Sequence, residues 1–85
     1  MNEFHFTNKA KKEFEKLDYQ SQSRVIRKLA ELKNHPNIQS ILKKVYGIKN
    51  ASHRMRIGNL RLLLIQVSEN VFVVNKIGHG QNFYE

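Results

Sequence analysis

The chain contains no cysteine, a single proline and only seven acidic residues. Without cysteine, disulfide scaffolds, thiolate metal sites and cysteine nucleophiles drop out together, and a reducing cytoplasm is the compartment that fits. Long apolar runs are missing too: the longest uncharged one, Leu62 to Ile65, is a fraction of the roughly 20 residues that a membrane helix needs. Residues 1–10 are too polar for the apolar part of a secretory signal, so neither membrane insertion nor export is expected. No internal repeat, low-complexity tract or flexible linker divides the 85 residues, which are read as one domain, 1–85. A domain of that size buries roughly 60 to 65% of its unfolded surface, enough for one core between two layers. With 40% hydrophobic residues the chain can build that core, which argues against disorder.

What the chain has in excess is positive charge: 15 Lys and Arg give a formal net charge of +8. The excess is uneven. Residues 1–42 carry eight bases against five acids, whereas residues 43–85 carry seven against two. A basic second half with almost no acids implies a polyanionic partner, either nucleic acid or an acidic protein, and charge alone does not choose between them.

Glu3 to Phe6 alternates apolar and polar residues and reads as a short strand. Thr7 or Asn8 can cap a helix in which Ala10, Phe14 and Leu17 fall on one face. Asp18 to Gln22 is read as the break, with Ser21 or Ser23 capping a second helix whose Val25, Leu29 and Leu32 repeat that spacing. That helix should stop at Asn34-His35-Pro36, since proline disfavours helix in the residue before it. Beyond Pro36 the period becomes two. Lys44 to Ile48 is a weak strand interrupted by Gly47, His53 to Ile57 a clear one, and Leu60 to Val67 and Val71 to Ile77 follow. The expected fold is α+β: an N-terminal strand and a helical hairpin packed on one face of a small antiparallel sheet.

Gly58-Asn59 is a two-residue hairpin signal, because glycine supplies the positive φ that such a turn requires. The turn dictates a register in which Ile57 faces Leu60, Arg56 faces Arg61, Met55 faces Leu62 and Arg54 faces Leu63. Alternation then puts Met55, Ile57, Leu60, Leu62 and Leu64 on the helix side, and Arg54, Arg56 and Arg61 together on the other. Like charges directly across a strand pair are destabilising by about 0.2–1 kcal/mol, a poor choice for stability alone. Arginines splayed into water are the ordinary alternative; a cluster suits an anion with several oxygens, to which the guanidinium fork donates bidentately.

A two-residue turn at Glu69-Asn70 would place Lys76 opposite Leu63 on the arginine face, whereas a three-residue loop would place it on the other side. Gly78 falls level with Arg61 in either case, which brings His79 near the arginines as a group able to exchange a proton near neutrality. Tyr84, a few residues on, could donate a proton or stack on a base. Phe83 reads as core, His53 as a structural residue facing the helices, and His5 and His35 as surface or turn residues.

FTNKAKKEFEKL after an opening strand, a second helix closing at HP, the KVYG segment, HRMRIGNLRLLLIQV and the final VFVVNKIGHGQNFY occur in an order that resembles the RelE/ParE toxins of bacterial type II toxin-antitoxin modules. The last two blocks are specific, whereas the helices are not. The resemblance implies the RelE-like microbial ribonuclease fold, and on the RelE branch a ribosome-dependent mRNA interferase. In that chemistry the ribose 2′-OH attacks its own phosphate without metal or cofactor, leaving a 2′,3′-cyclic phosphate and a 5′-OH. The ParE branch implies inhibition of DNA gyrase instead, and a third reading is a toxin that has lost its chemistry and only binds its antitoxin. The family's catalytic positions fall on Arg54, Arg56, Arg61 and Tyr84, with His79 taking the base's role, and Lys43, Lys44, Lys49 and Lys76 as RNA-binding cations. Where the family commonly has arginine after Gly78-His79, this chain has Gly80, and Lys76 or Lys49 would have to supply the missing charge. The implied partners are a cognate acidic antitoxin and ribosome-bound mRNA, with no membrane.

Overall fold

Thr7 starts the first helix as its cap: its hydroxyl accepts from the Ala10 amide at 3.0 Å, satisfying one of the free donors of a helix start. In the computed structural model, which describes residues 1–80 and Phe83, this helix is α1 (Asn8–Glu15), preceded by strand β1 (Glu3–Phe6). Helix α2 (Tyr19–Lys33) follows after only three residues. The break therefore lies at residues 16–18, and the cap is Asp18 rather than Ser21 or Ser23. Gln22 explains the early start: its amide bonds the Asp18 carbonyl at 3.0 Å, while its side chain donates to the carbonyl of Phe14 at 3.1 Å and closes the end of α1. Ser21 instead serves Asp18. The Ser21 side chain, outweighing an opposing effect of burial and aided slightly by the charge of His79, holds the exposed Asp18 carboxyl below its usual range.

Helix α2 ends before Pro36, as the sequence dictates, but its terminal carbonyls are satisfied from an unexpected quarter. Buried Asn2 donates its side-chain amide to the carbonyls of Leu32 and His35 at 2.8 and 3.1 Å, and its backbone amide to Lys33 at 2.7 Å. A 3-10 turn (Ile38–Ser40) then leads to β2 (Lys43–Lys44), β3 (His53–Ile57), β4 (Leu60–Ser68) and β5 (Val71–His79). The expected strand at 44–48 shrinks to two residues because the chain leaves the sheet through positive φ at Gly47 (75°) and Asn50 (60°).

The strands form one sheet in the order β1-β5-β4-β3-β2. It is mixed rather than antiparallel, since β1 runs parallel to β5, with Glu3 beside Val71 and Phe6 beside Val74. Both helices cover one face. Ala10, Val25, Leu32, Met55, Ile57, Leu60, Leu62, Leu64, Phe72, Val74 and Ile77 meet there in the core, with Phe14, Leu17 and Leu29 packed against it. Leu63 and Phe83 are also buried but stand outside that cluster. Among the described residues no helix is long and apolar enough to cross a membrane.

Candidate nucleic-acid interface

Gly58 takes φ +58° between β3 and β4, and the two strands pair as the turn demands: Ile57 with Leu60, Arg56 with Arg61, Met55 with Leu62, Arg54 with Leu63. The strand β2 adds Lys43 opposite Arg54, and β5 adds Lys76 opposite Leu63 and Gly78 opposite Arg61. Two rows thus cross the face away from the helices: Lys43-Arg54-Leu63-Lys76, and Arg56-Arg61-Gly78. Lys76 reaches this face through two compensating irregularities. Val67 on β4 and Asn75 on β5 both lack a partner in the ladder, so the one-residue shifts cancel and the two-residue turn's register returns at Lys76.

The arginines converge on a cleft of about 320 Å³ at the open edge of β3, lined by Lys28, Ile41, Lys43, Arg54, Met55, Arg56 and Arg61. No acid lines it. Among the described residues the ion pairs are His5 with Glu3, Lys9 with Glu13 and Lys28 with Glu31, so none of the three guanidinium groups meets a carboxylate within 4.0 Å. Arg61 is tied to its own turn: Nη1 donates to the carbonyls of Leu60 at 3.2 Å and Gly58 at 3.4 Å. Its guanidinium also lies where residue 80 has no side chain, since a Cβ on Gly80 would come within 3.0 Å of Nη2.

The other expected site residues are dispersed. His79 does not join the arginines: it pairs with Leu60, whose side chain is in the core, so strand alternation turns it to the helix side, where its charge acts on Asp18. Lys44 lies opposite buried His53 and Lys49 in the exposed loop before β3, and neither lines the cleft. Lys76 is on the arginine face, but its ammonium donates to the Phe83 carbonyl and stands 4.7 Å from the centre of the Phe83 ring. Phe83 itself is buried on this face rather than in the core between helices and sheet, because a Cβ on Gly78 would lie 3.1 Å from its ring. Tyr84 lies outside the described residues. Lys28 and Ile41 enter the cleft without any sequence signal of their own, since the packing of α2 against the hairpin decides their place.

His53 faces the helices, 3% exposed and edge-on to Phe72 at 6.0 Å. Burial, with the charge of Lys44 second, pushes its imidazole below the ordinary histidine value, so it is held neutral. Nδ1 is 2.9 Å from the Ser52 hydroxyl, whose oxygen also accepts from the Gln66 amide at 2.8 Å and lies 3.4 Å from the Leu64 carbonyl. A proton on Nδ1 lets Ser52 pass its own to Leu64 and leaves buried Nε2 as a bare lone pair, the cheaper group to strand without a partner.

No protein-family model and no curated protein sequence matches the chain. Solved structures do. The isolated RelE toxin of E. coli superposes with a TM-score of 0.72 and 22% identity, over 96% of this chain and 87% of that one. The RelBE2 toxin-antitoxin complex of Mycobacterium tuberculosis gives 0.75 at 20% identity, over 93% and 98%. An archaeal RelE-RelB complex from Pyrococcus horikoshii gives 0.70 at 15% identity, over 95% and 97%. At these identities the likeness is one of fold, and the fold is that of RelE.

Proposed function

We propose that the chain is the toxin of a type II toxin-antitoxin module, an endoribonuclease that cuts ribosome-bound mRNA in the cytoplasm and is restrained by an acidic antitoxin. The observation that carries this reading is a cleft on a RelE fold with three arginines and two lysines and, among the described residues, no carboxylate. Cleavage by the 2′-OH needs positive charge where the phosphate gathers it, and a group that takes the hydroxyl proton. Arg54 and Arg56, unpaired with any acid among the described residues, can donate bidentately to the phosphate oxygens. Arg61, fixed by its turn carbonyls, adds charge without having to be ordered on binding.

Arginine cannot serve as the base, and His79 faces the helices. That leaves the two lysines of the cleft, of which Lys43, directly opposite Arg54, would accept the proton in its neutral form. The antitoxin would lay an acidic amphipathic helix over the same surface, as its charge invites. Induction without the partner should arrest growth and cut transcripts on ribosomes; growth arrest with intact transcripts would remove the nuclease reading and leave gyrase as the target to assay.

A second reading, a toxin that only binds its antitoxin, draws support from Gly80 and from the engagement of Arg61 with its own turn. Unimpaired growth on induction, with retained antitoxin binding, would establish it.

A further inference from the structure

The cleft has a second wall that the β-hairpin does not supply. Arg24 and Lys28 stand one turn apart on α2 and so share a face. Lys28 lines the cleft beside Ile41. Arg24 reaches the tip of the β3-β4 turn: its Nη1 lies 3.2 Å from the position a Cβ on Gly58 would take. Arg61 approaches the same residue from the strand side, with Nη1 3.4 Å from the Gly58 carbonyl. Gly58 is therefore flanked by two guanidinium groups from different layers of the fold.

Among the described residues no acid offsets this gathering. Arg24 has no carboxylate within 4.0 Å among the described residues, and Lys28 has only Glu31 on its own helix, at 4.0 Å with its side chain 66% exposed. A pair so long and so open contributes little and exchanges readily for another anion. Cations from α2 thus continue the line of Lys43, Arg54 and Arg56 around the edge of the sheet.

We infer that Arg24 and Lys28 form a separate phosphate subsite, which grips the backbone of single-stranded RNA next to the phosphate held by the arginine cluster. The strand then runs across the edge of β3, between α2 and the hairpin tip, rather than along the flat of the sheet. This rests on the RNA reading of the cleft.

The test measures binding of a 2′-O-methyl oligonucleotide, which cannot be cut at the ribose, by anisotropy over a series of salt concentrations. Arg24→Ala with Lys28→Ala should weaken binding on the order of tenfold and flatten the plot of log affinity against log salt by about 1.4, the loss of two phosphate contacts on a single strand. Arg24→Lys with Lys28→Arg should restore most of it. Lys11→Ala with Lys12→Ala, two exposed lysines on α1 outside the cleft, removes the same charge and should change little. An unchanged α2 pair beside a weakened Arg56→Ala would overturn the subsite and spare the RNA reading. No change in either would overturn both, and equal losses in the α1 and α2 pairs would reduce the effect to net charge. Unaltered circular dichroism of each variant keeps the comparison on binding.

Discussion

Arg56 stands directly opposite Arg61 across the β3-β4 turn, two like charges in register with no acid of the described residues beside them. Such a pair costs stability where a neutral partner would not. Arg56→Ala should therefore make the protein slightly more stable, by about 0.2–1 kcal/mol in urea unfolding. The same change should slow mRNA cleavage on the order of 100- to 1000-fold, the usual consequence of losing one preorganised charge donor. A variant that is less stable, or as toxic as the parent, would show that Arg56 is an ordinary surface residue.

Lys43 offers a sharper chemical test. If it takes the proton of the 2′-OH, Lys43→Ala should cut the rate about 100- to 10,000-fold, and Lys43→Arg should not rescue it, because arginine keeps its proton. RNA binding should survive in Lys43→Arg. Recovery of cleavage in that variant would reduce Lys43 to a source of charge.

Buried His53 makes stability depend on pH. Its folded-state value lies below 6.5, so the unfolded chain binds more protons as the solution is acidified, and stability falls with pH. The contribution is fully present above pH 6.5 and drains away as pH drops below it. Urea midpoints between about pH 5 and 7.5 should decline on the acid side for the parent protein, and His53→Leu should flatten that slope. An equal slope in both would show that His53 is not its source.

Local geometry gives a fourth expectation. Gly58→Ala forces a left-handed conformation on a residue with a side chain, at a cost of about 1–2 kcal/mol, and pushes against the Arg24 guanidinium. Thr7→Ala, which removes the cap of α1 far from the cleft, should cost about 1 kcal/mol and leave RNA cleavage unchanged. Together the two variants separate loss of fold from loss of the turn that gathers the cations.

The β3-β4 hairpin was legible in the sequence because strict alternation and one glycine turn fix both register and face. For Lys76 the sequence leaves both faces open; the two-residue turn's register is the one found, and the bulges at Val67 and Asn75 that preserve it left no trace in composition. His79 was misplaced for a physical reason: closeness to Arg61 in register says nothing of side, and alternation sends neighbours to opposite faces. The cap of α2 was missed because Ser21 and Ser23 offer capping chemistry a few residues after Asp18, itself read as part of the break, and contact through Gln22 fixed the earlier start. Lys28 and Arg24 could not be read at all, since the angle at which a helix crosses a sheet is a property of the packed core. The parallel neighbour of β1 was equally hidden, being a pairing between the two ends of the chain.

That last pairing has a consequence for biosynthesis. Glu3 finds its strand neighbour only at Val71, so β1 must wait for β5 to leave the ribosomal tunnel. During elongation the cationic hairpin can close early, while the sheet that anchors it stays incomplete until β5 has been made.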